Sequence, residues 1–168
     1  MKMIVLLFSC MLFFQGCTYA ISPGMADRAD KTVRFEKLQA DPESFKGKLI
    51  IVGGTITQTS DVNQGTLIEV TQRSLDYWGR PERTKRTGGR FFVFHPGLLN
   101  VMAYEPGVDI TIAGEVLGTS SPMIGEKQYD YPILLEKELK LWGRESRSPD
   151  KTKWMDPLYD PARSGRPE

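Results

Sequence analysis

The sequence predicts a mostly β protein: a small five-stranded OB-like barrel, closed or partly open, with an N-terminal tether and an irregular C-terminal tail. Three observations predict it. Short runs rich in β-branched residues recur through the middle of the chain. Gly and Pro, 16 and 11 in 168 residues, supply the turns that such a chain needs. No long amphipathic helical pattern interrupts the series. A two-sheet sandwich is the alternative that the same pattern allows.

The elements follow in order. Val33, Phe35 and Leu38 stand at helical or extended spacing until Asp41-Pro42, where the chain must turn. Leu49-Ile50-Ile51-Val52 opens the first strand, Gly53-Gly54 marks a bulge or sharp bend, and Thr55-Ile56-Thr57 continues it. Residues 61–65 form a turn, and 66–72 a second strand with Thr66, Ile68 and Val70 on one face. A long polar loop covers 76–89, and 90–94 is the third strand. The clearest alternation lies in 108–117, where Val108, Ile110, Ile112 and Val116 interleave with Asp109, Thr111, Ala113 and Glu115. That pattern predicts one buried and one wetted face. The last strand runs from about 131 to 142, through Ile133, Leu135, Leu139 and Leu141.

The length suits one domain with a real core, residues 31–143. At 40% hydrophobic and 26% charged the composition is that of a globular domain, which excludes wholesale disorder and a multi-span membrane protein. Cys10 and Cys17 are the two cysteines, so neither a disulfide scaffold nor a four-ligand zinc site can be built. His95 is the single histidine, which excludes a histidine-rich metal centre. No metal and no cofactor are implied.

Residues 1–16 read as a signal peptide: Lys2 is the charged n-region, and a twelve-residue apolar run from Met3 to Phe14 is too short to span a bilayer comfortably. An uncleaved anchor helix is the alternative. Phe14-Gln15-Gly16-Cys17 resembles a bacterial lipobox, with the small Gly16 before the cleavage point and Cys17 as the lipidated residue; Phe14 and Gln15 depart from the usual Leu and small residue. Cys10 is a competing candidate with a shorter apolar run before it. Thr18 lacks the carboxylate that retains lipoproteins at the inner membrane, so the resemblance implies the outer membrane. Several acyl chains on one residue anchor durably where a single chain is marginal.

Residues 17–30 carry no periodicity and read as a lipid-anchored tether. Residues 144–168 hold four prolines and eleven charged residues and read as a tail. Removing the signal peptide takes away Lys2 and leaves 21 basic against 21 acidic side chains. A general nucleic-acid binder needs a basic face, so no nucleic-acid partner is expected.

Three groups are candidate sites. Arg80, Arg83, Lys85 and Arg86 could form an anion-binding loop for lipid phosphates, or merely keep a hairpin loop solvated. His95 precedes Pro96-Gly97, and a catalytic role would need a nucleophile or carboxylate beside it, which the sequence does not name. Phe91, Phe92, Phe94, Tyr129, Tyr131 and Trp142 could make a stacking platform or simply core. No catalytic constellation emerges, and the chain reads as non-enzymatic.

An ordered series of residues carries a resemblance. Gly47, Gly53-Gly54, Gly65-Thr66 through Glu69-Val70, Leu75, Gly79-Arg80-Pro81 and Gly88-Gly89-Arg90-Phe91 resemble the Slp family of outer membrane lipoproteins (starvation-inducible lipoprotein). So do Gly107, Thr111, Gly114-Glu115-Val116, Gly118, Gly125-Glu126, Tyr129, Tyr131-Pro132 and Leu141-Trp142. The resemblance covers 31–143. It implies a Gram-negative outer membrane lipoprotein associated with starvation, stationary phase or acid stress, and it transfers only Cys17 as a functional residue. A structural envelope component facing the periplasm is one expectation. The other is a binding or adaptor module that docks an envelope protein, a peptide or anionic lipid through its OB-like face.

Overall fold

The computed structural model describes residues 19–84, 86–121, 123–124 and 127–143. Cys10, Gly16, Cys17, Lys85, Gly125-Glu126 and the segment 144–168 lie outside the described residues.

Five long strands close into a barrel in the order β1-β2-β3-β7-β4, with β4 returning to β1. They are β1 Leu49–Val62, β2 Gly65–Arg73, β3 Arg90–Pro96, β4 Asp109–Ser120 and β7 Tyr131–Trp142; β5 Met123–Ile124 and β6 Lys127–Gln128 pair only with each other. The β3–β7 pair is parallel and every other barrel pair is antiparallel. This is an OB-type barrel, and its closed ring rules out the sandwich.

Strand β1 makes closure work. Its first half pairs with β4 and its second with β2, and at Gly53, Gly54 and Thr55 it is paired with both. A Cβ on Gly54 would stand 2.1 Å from the Thr71 carbonyl oxygen, so the crossing admits only glycine. Of the bulge or sharp bend expected at Gly53-Gly54, the bulge is not there: the register shift of β1 against β2 lies between Ile56 and Gln58.

Alternation holds in β2, where Thr66, Ile68 and Val70 are fully buried. It fails in two places, each with a cause. In β4 most of the face expected to be wetted is covered: Asp109, Thr111 and Ala113 are buried, and of that set only Glu115 stays half-exposed. Chain from outside the barrel lies over them, as described below. In β7 the burial changes phase: Leu134 is fully buried and Leu135 is not, while Leu139 and Leu141 pack on the core. Lys137 is an extra residue opposite the Ala113/Gly114 step of β4. One extra residue flips the faces, so Leu134 points inward before it and Leu139 and Leu141 reach the core after it.

Among the described residues two short α-helices, α1 Pro23–Arg28 and α2 Phe35–Ala40, and a 3-10 turn at Glu43–Phe45 complete the fold. Helix α2 buries Phe35 and Leu38 against the barrel core, with the Phe35 ring edge-on to Phe91 at 5.6 Å. Asp41 stops it, and its carboxylate then holds Ser44 through backbone and hydroxyl in the next turn.

Candidate functional site

The sequence reads 17–30 as a lipid-anchored tether. Within its described part, residues 20–22 and 30 are bonded to or buried against the barrel wall. The Ala20 N–H donates to the Trp78 carbonyl at 3.2 Å, the Ser22 N–H and hydroxyl each donate to the Glu138 carboxylate at 2.7 Å, and the Asp30 N–H donates to the Leu49 carbonyl at 2.8 Å. Ala20, Ile21 and Ala113 form a second small core, with Ile51, Met25 and Trp142 packed around it. The signal missed in the sequence is brief: Ala20-Ile21 is too short to register as a period.

The loop that receives this segment is built around Asp76. One carboxylate oxygen accepts the N–H groups of Trp78 and Arg80, at 2.9 and 2.8 Å. The resulting turn puts Gly79 at φ +81°, with a hypothetical Cβ 2.8 Å from the Ala20 Cβ. Glycine is required there twice over, by the left-handed backbone and by the close approach of Ala20. The Gly79 carbonyl accepts the Thr111 hydroxyl at 2.6 Å, and Thr111 in turn accepts the Trp142 indole N–H at 2.9 Å. Asp76, Gly79, Thr111 and Trp142 thus tie loop, β4 and β7 into one network under the N-terminal segment.

At its outer end this network presents rings to solvent. Tyr19, Tyr77 and Trp78 are 49, 77 and 47% exposed, yet they contact one another: Tyr77 meets Trp78 edge-on at 5.2 Å, and Tyr19 lies 5.9 Å from Trp78. Tyr19 and Tyr77 share a hydroxyl hydrogen bond at 3.3 Å. Shallow grooves flank the segment: one of about 190 Å³ lined by Ile51, Leu75, Trp78 and Thr111, and another of about 420 Å³ lined by Pro23, Glu138, Leu139 and Lys140.

The three described members of the candidate anion-binding loop, Arg80, Arg83 and Arg86, have separate surroundings. Arg80 lies over the Trp142 ring at 5.5 Å. Arg83 bonds the buried Asp109 carboxylate at 3.3 Å, and Thr55 donates to the same carboxylate at 2.8 Å. Arg86 is exposed, its carbonyl accepting the Thr84 hydroxyl at 3.3 Å, and Lys85 is outside the described residues.

His95 sits within β3, and its Nδ1 lies 2.7 Å from a Glu136 carboxylate oxygen. The carboxylate partner that the sequence does not name is therefore present, brought across by the parallel β3–β7 pair. Burial, and secondarily the Glu136 charge, push the Tyr104 phenol above its ordinary 10.0. Among the described residues no group of three or more His, Cys, Asp or Glu side chains is placed to hold a metal ion. The aromatic set divides. Phe91 is core, whereas Phe92 is covered edge-on by Tyr131 at 5.8 Å, and Tyr131 stacks on Tyr129 along the outer wall.

The fold and the network on its wall define a small closed β-barrel protein of the OB type, its residues 20, 22 and 30 bonded to the barrel. The model of the Outer membrane lipoprotein Slp family matches residues 14–167, continuing past Gly143, where the resemblance read from the sequence stops. The chain belongs to the Slp family of outer membrane lipoproteins. It is also 24% identical over 142 residues to an "Uncharacterized protein" of Haemophilus influenzae, covering 83% of this chain and 76% of that protein. The crystal structure of Schizosaccharomyces pombe Pot1pC bound to ssDNA superposes with a TM-score of 0.32 at 11% identity, over 68% of this chain and 93% of that one. A superposition that loose assigns nothing to this barrel.

Proposed function

We propose that the chain is cleaved before Cys17, acylated there, and held at the outer membrane as a non-enzymatic, periplasm-facing component of the envelope, structural and stress-related in role. The observation that carries this reading is the family match that opens at Phe14 and so takes in Gly16 and Cys17. The non-enzymatic part of the reading draws support from the wall-building contacts of Thr111 with Gly79 and Trp142 and of Arg83 with Asp109. The His95–Glu136 pair is the one arrangement a rival enzyme reading could use, and an activity lost in His95→Ala would overturn this part. Fractionation of cells expressing Cys17→Ser tests the anchor. The variant should leave the outer membrane fraction and accumulate unprocessed; normal processing and unchanged location would refute the reading. Protease added to intact cells tests the orientation, since a periplasm-facing barrel is protected.

A second reading, an adaptor that docks another envelope protein, draws support from one feature. Leu98 and Met102, both 77% exposed, lie with Val101 in the loop between β3 and β4, and an adaptor needs such an uncovered apolar patch. Cross-linking from Met102 in intact cells should capture a discrete partner under this reading and none under the first.

A further inference from the structure

The aromatic cluster at Tyr19, Tyr77 and Trp78 has a feature that sets it apart from scattered surface rings. Only Thr18 separates it from Cys17. Two residues of extended chain reach at most about 7 Å. Ala20 is bonded to Trp78, Ile21 is buried, and Ser22 is bonded to Glu138, so the wall fixes Tyr19 beside the other two rings, and Cys17 is within that reach of it. A lipid on Cys17 therefore enters the bilayer within one short step of three exposed, amphipathic side chains. Tyr and Trp are the residues that settle at the headgroup level, with their rings among the acyl ends and their polar atoms in water. The same loop carries Arg80, Arg83, Lys85 and Arg86 against Asp76 and Glu82, the sign that an anionic leaflet attracts.

We infer that Tyr19, Tyr77 and Trp78 form a membrane-contact surface that seats the barrel on the leaflet holding its own lipid, with the headgroup layer as the occupant. The barrel then does not swing on a flexible leash. The Asp76 turn and the Ala20–Trp78 bond hold the rings at the lipid exit. This inference rests on the lipoprotein reading above and adds to it the face of the barrel that touches the membrane.

The test uses the lipidated protein reconstituted into phosphatidylethanolamine–phosphatidylglycerol vesicles with plain or brominated acyl chains. Bromine quenches only indole that reaches the acyl region. Brominated vesicles should quench part of the tryptophan emission, and Trp78→Phe should abolish that quenching. Tyr77→Ser, at the most exposed of the rings, provides a second variant and should weaken it. Quenching that persists in Trp78→Phe places Trp142 or Trp154 at the membrane and overturns the inference. Lipidated protein with no quenching does the same and leaves the rings for a protein partner or a second copy. The mass of the purified chain reports the acyl groups independently: a lipidated chain without quenching fails the inference alone, whereas a chain without lipid on Cys17 fails both.

Discussion

Thr111 donates its hydroxyl to the Gly79 carbonyl at 2.6 Å while accepting the Trp142 indole N–H at 2.9 Å. One buried side chain thereby links the β2–β3 loop to β4 and β7. Replacing it with Val keeps the shape and removes the link. Thr111→Val should cost about 1–3 kcal/mol, the penalty for leaving buried polar groups unpaired. Thr111→Ser should retain most of the stability. Urea denaturation of the two variants measures the difference.

Gly79→Ala combines a left-handed backbone with a Cβ 2.8 Å from that of Ala20. The backbone alone costs of order 1–3 kcal/mol for a residue with a side chain. The Asp76 turn should open and release residues 19–22, which limited proteolysis will detect as new cleavage before Pro23.

Stability should fall in acid through Asp30 and Asp41. The Lys48 ammonium, donating at 2.8 Å, and then Thr32 hold the Asp30 carboxyl well below its ordinary 3.8; Ser44 lowers Asp41. A carboxylate whose pKa is depressed on folding contributes stability that is present above its unfolded value and lost as pH falls toward the folded one. The loss should therefore begin below about pH 4. In Asp30→Asn the acid limb of a melting-temperature profile should be shallower.

Tyr104 should titrate above 10.0, because burial first and the Glu136 charge second disfavour its phenolate. Glu136→Gln should lower the midpoint only in part, since burial is the larger cause. Ultraviolet difference absorbance follows the phenolate directly.

The domain limits can be tested by truncation. Deleting 144–168 should leave a cooperative transition. Starting the chain at 31 removes Ile21 from the core it shares with Ala113, at a cost of about 1.5–3 kcal/mol for that side chain alone. The folding unit should accordingly be 19–143, and comparison of the two truncations by urea titration checks it.

The strands were legible because burial imposes a period of two, and Thr66, Ile68 and Val70 show it without interference. Legibility failed wherever a second body altered the faces. Asp109 and Thr111 look solvent-facing as sequence, but Arg83 and the Gly79 carbonyl bury them from outside. Leu134 and Leu139 disagree in phase because Lys137 is an added residue, and a single insertion leaves no trace in composition. The His95–Glu136 contact spans 41 positions and exists only because β3 and β7 run parallel, a fact no local pattern carries.

Strand β7 pairs with β3 on one side, through Phe92–Ile133, Val93–Leu134 and Phe94–Leu135, and with β4 on the other. In a chain emerging from its N-terminus, both neighbours therefore wait as open edges until the last of the five long strands is delivered. Open edges recruit any extended chain, including copies of themselves. The β1–β2 hairpin can form from local contacts, whereas closure depends on a distant strand and is intrinsically late. The hazardous interval in the life of this protein thus lies between delivery of β4 and arrival of residues 131–142, and a chain cut within that last segment would be an adhesive sheet rather than a smaller barrel.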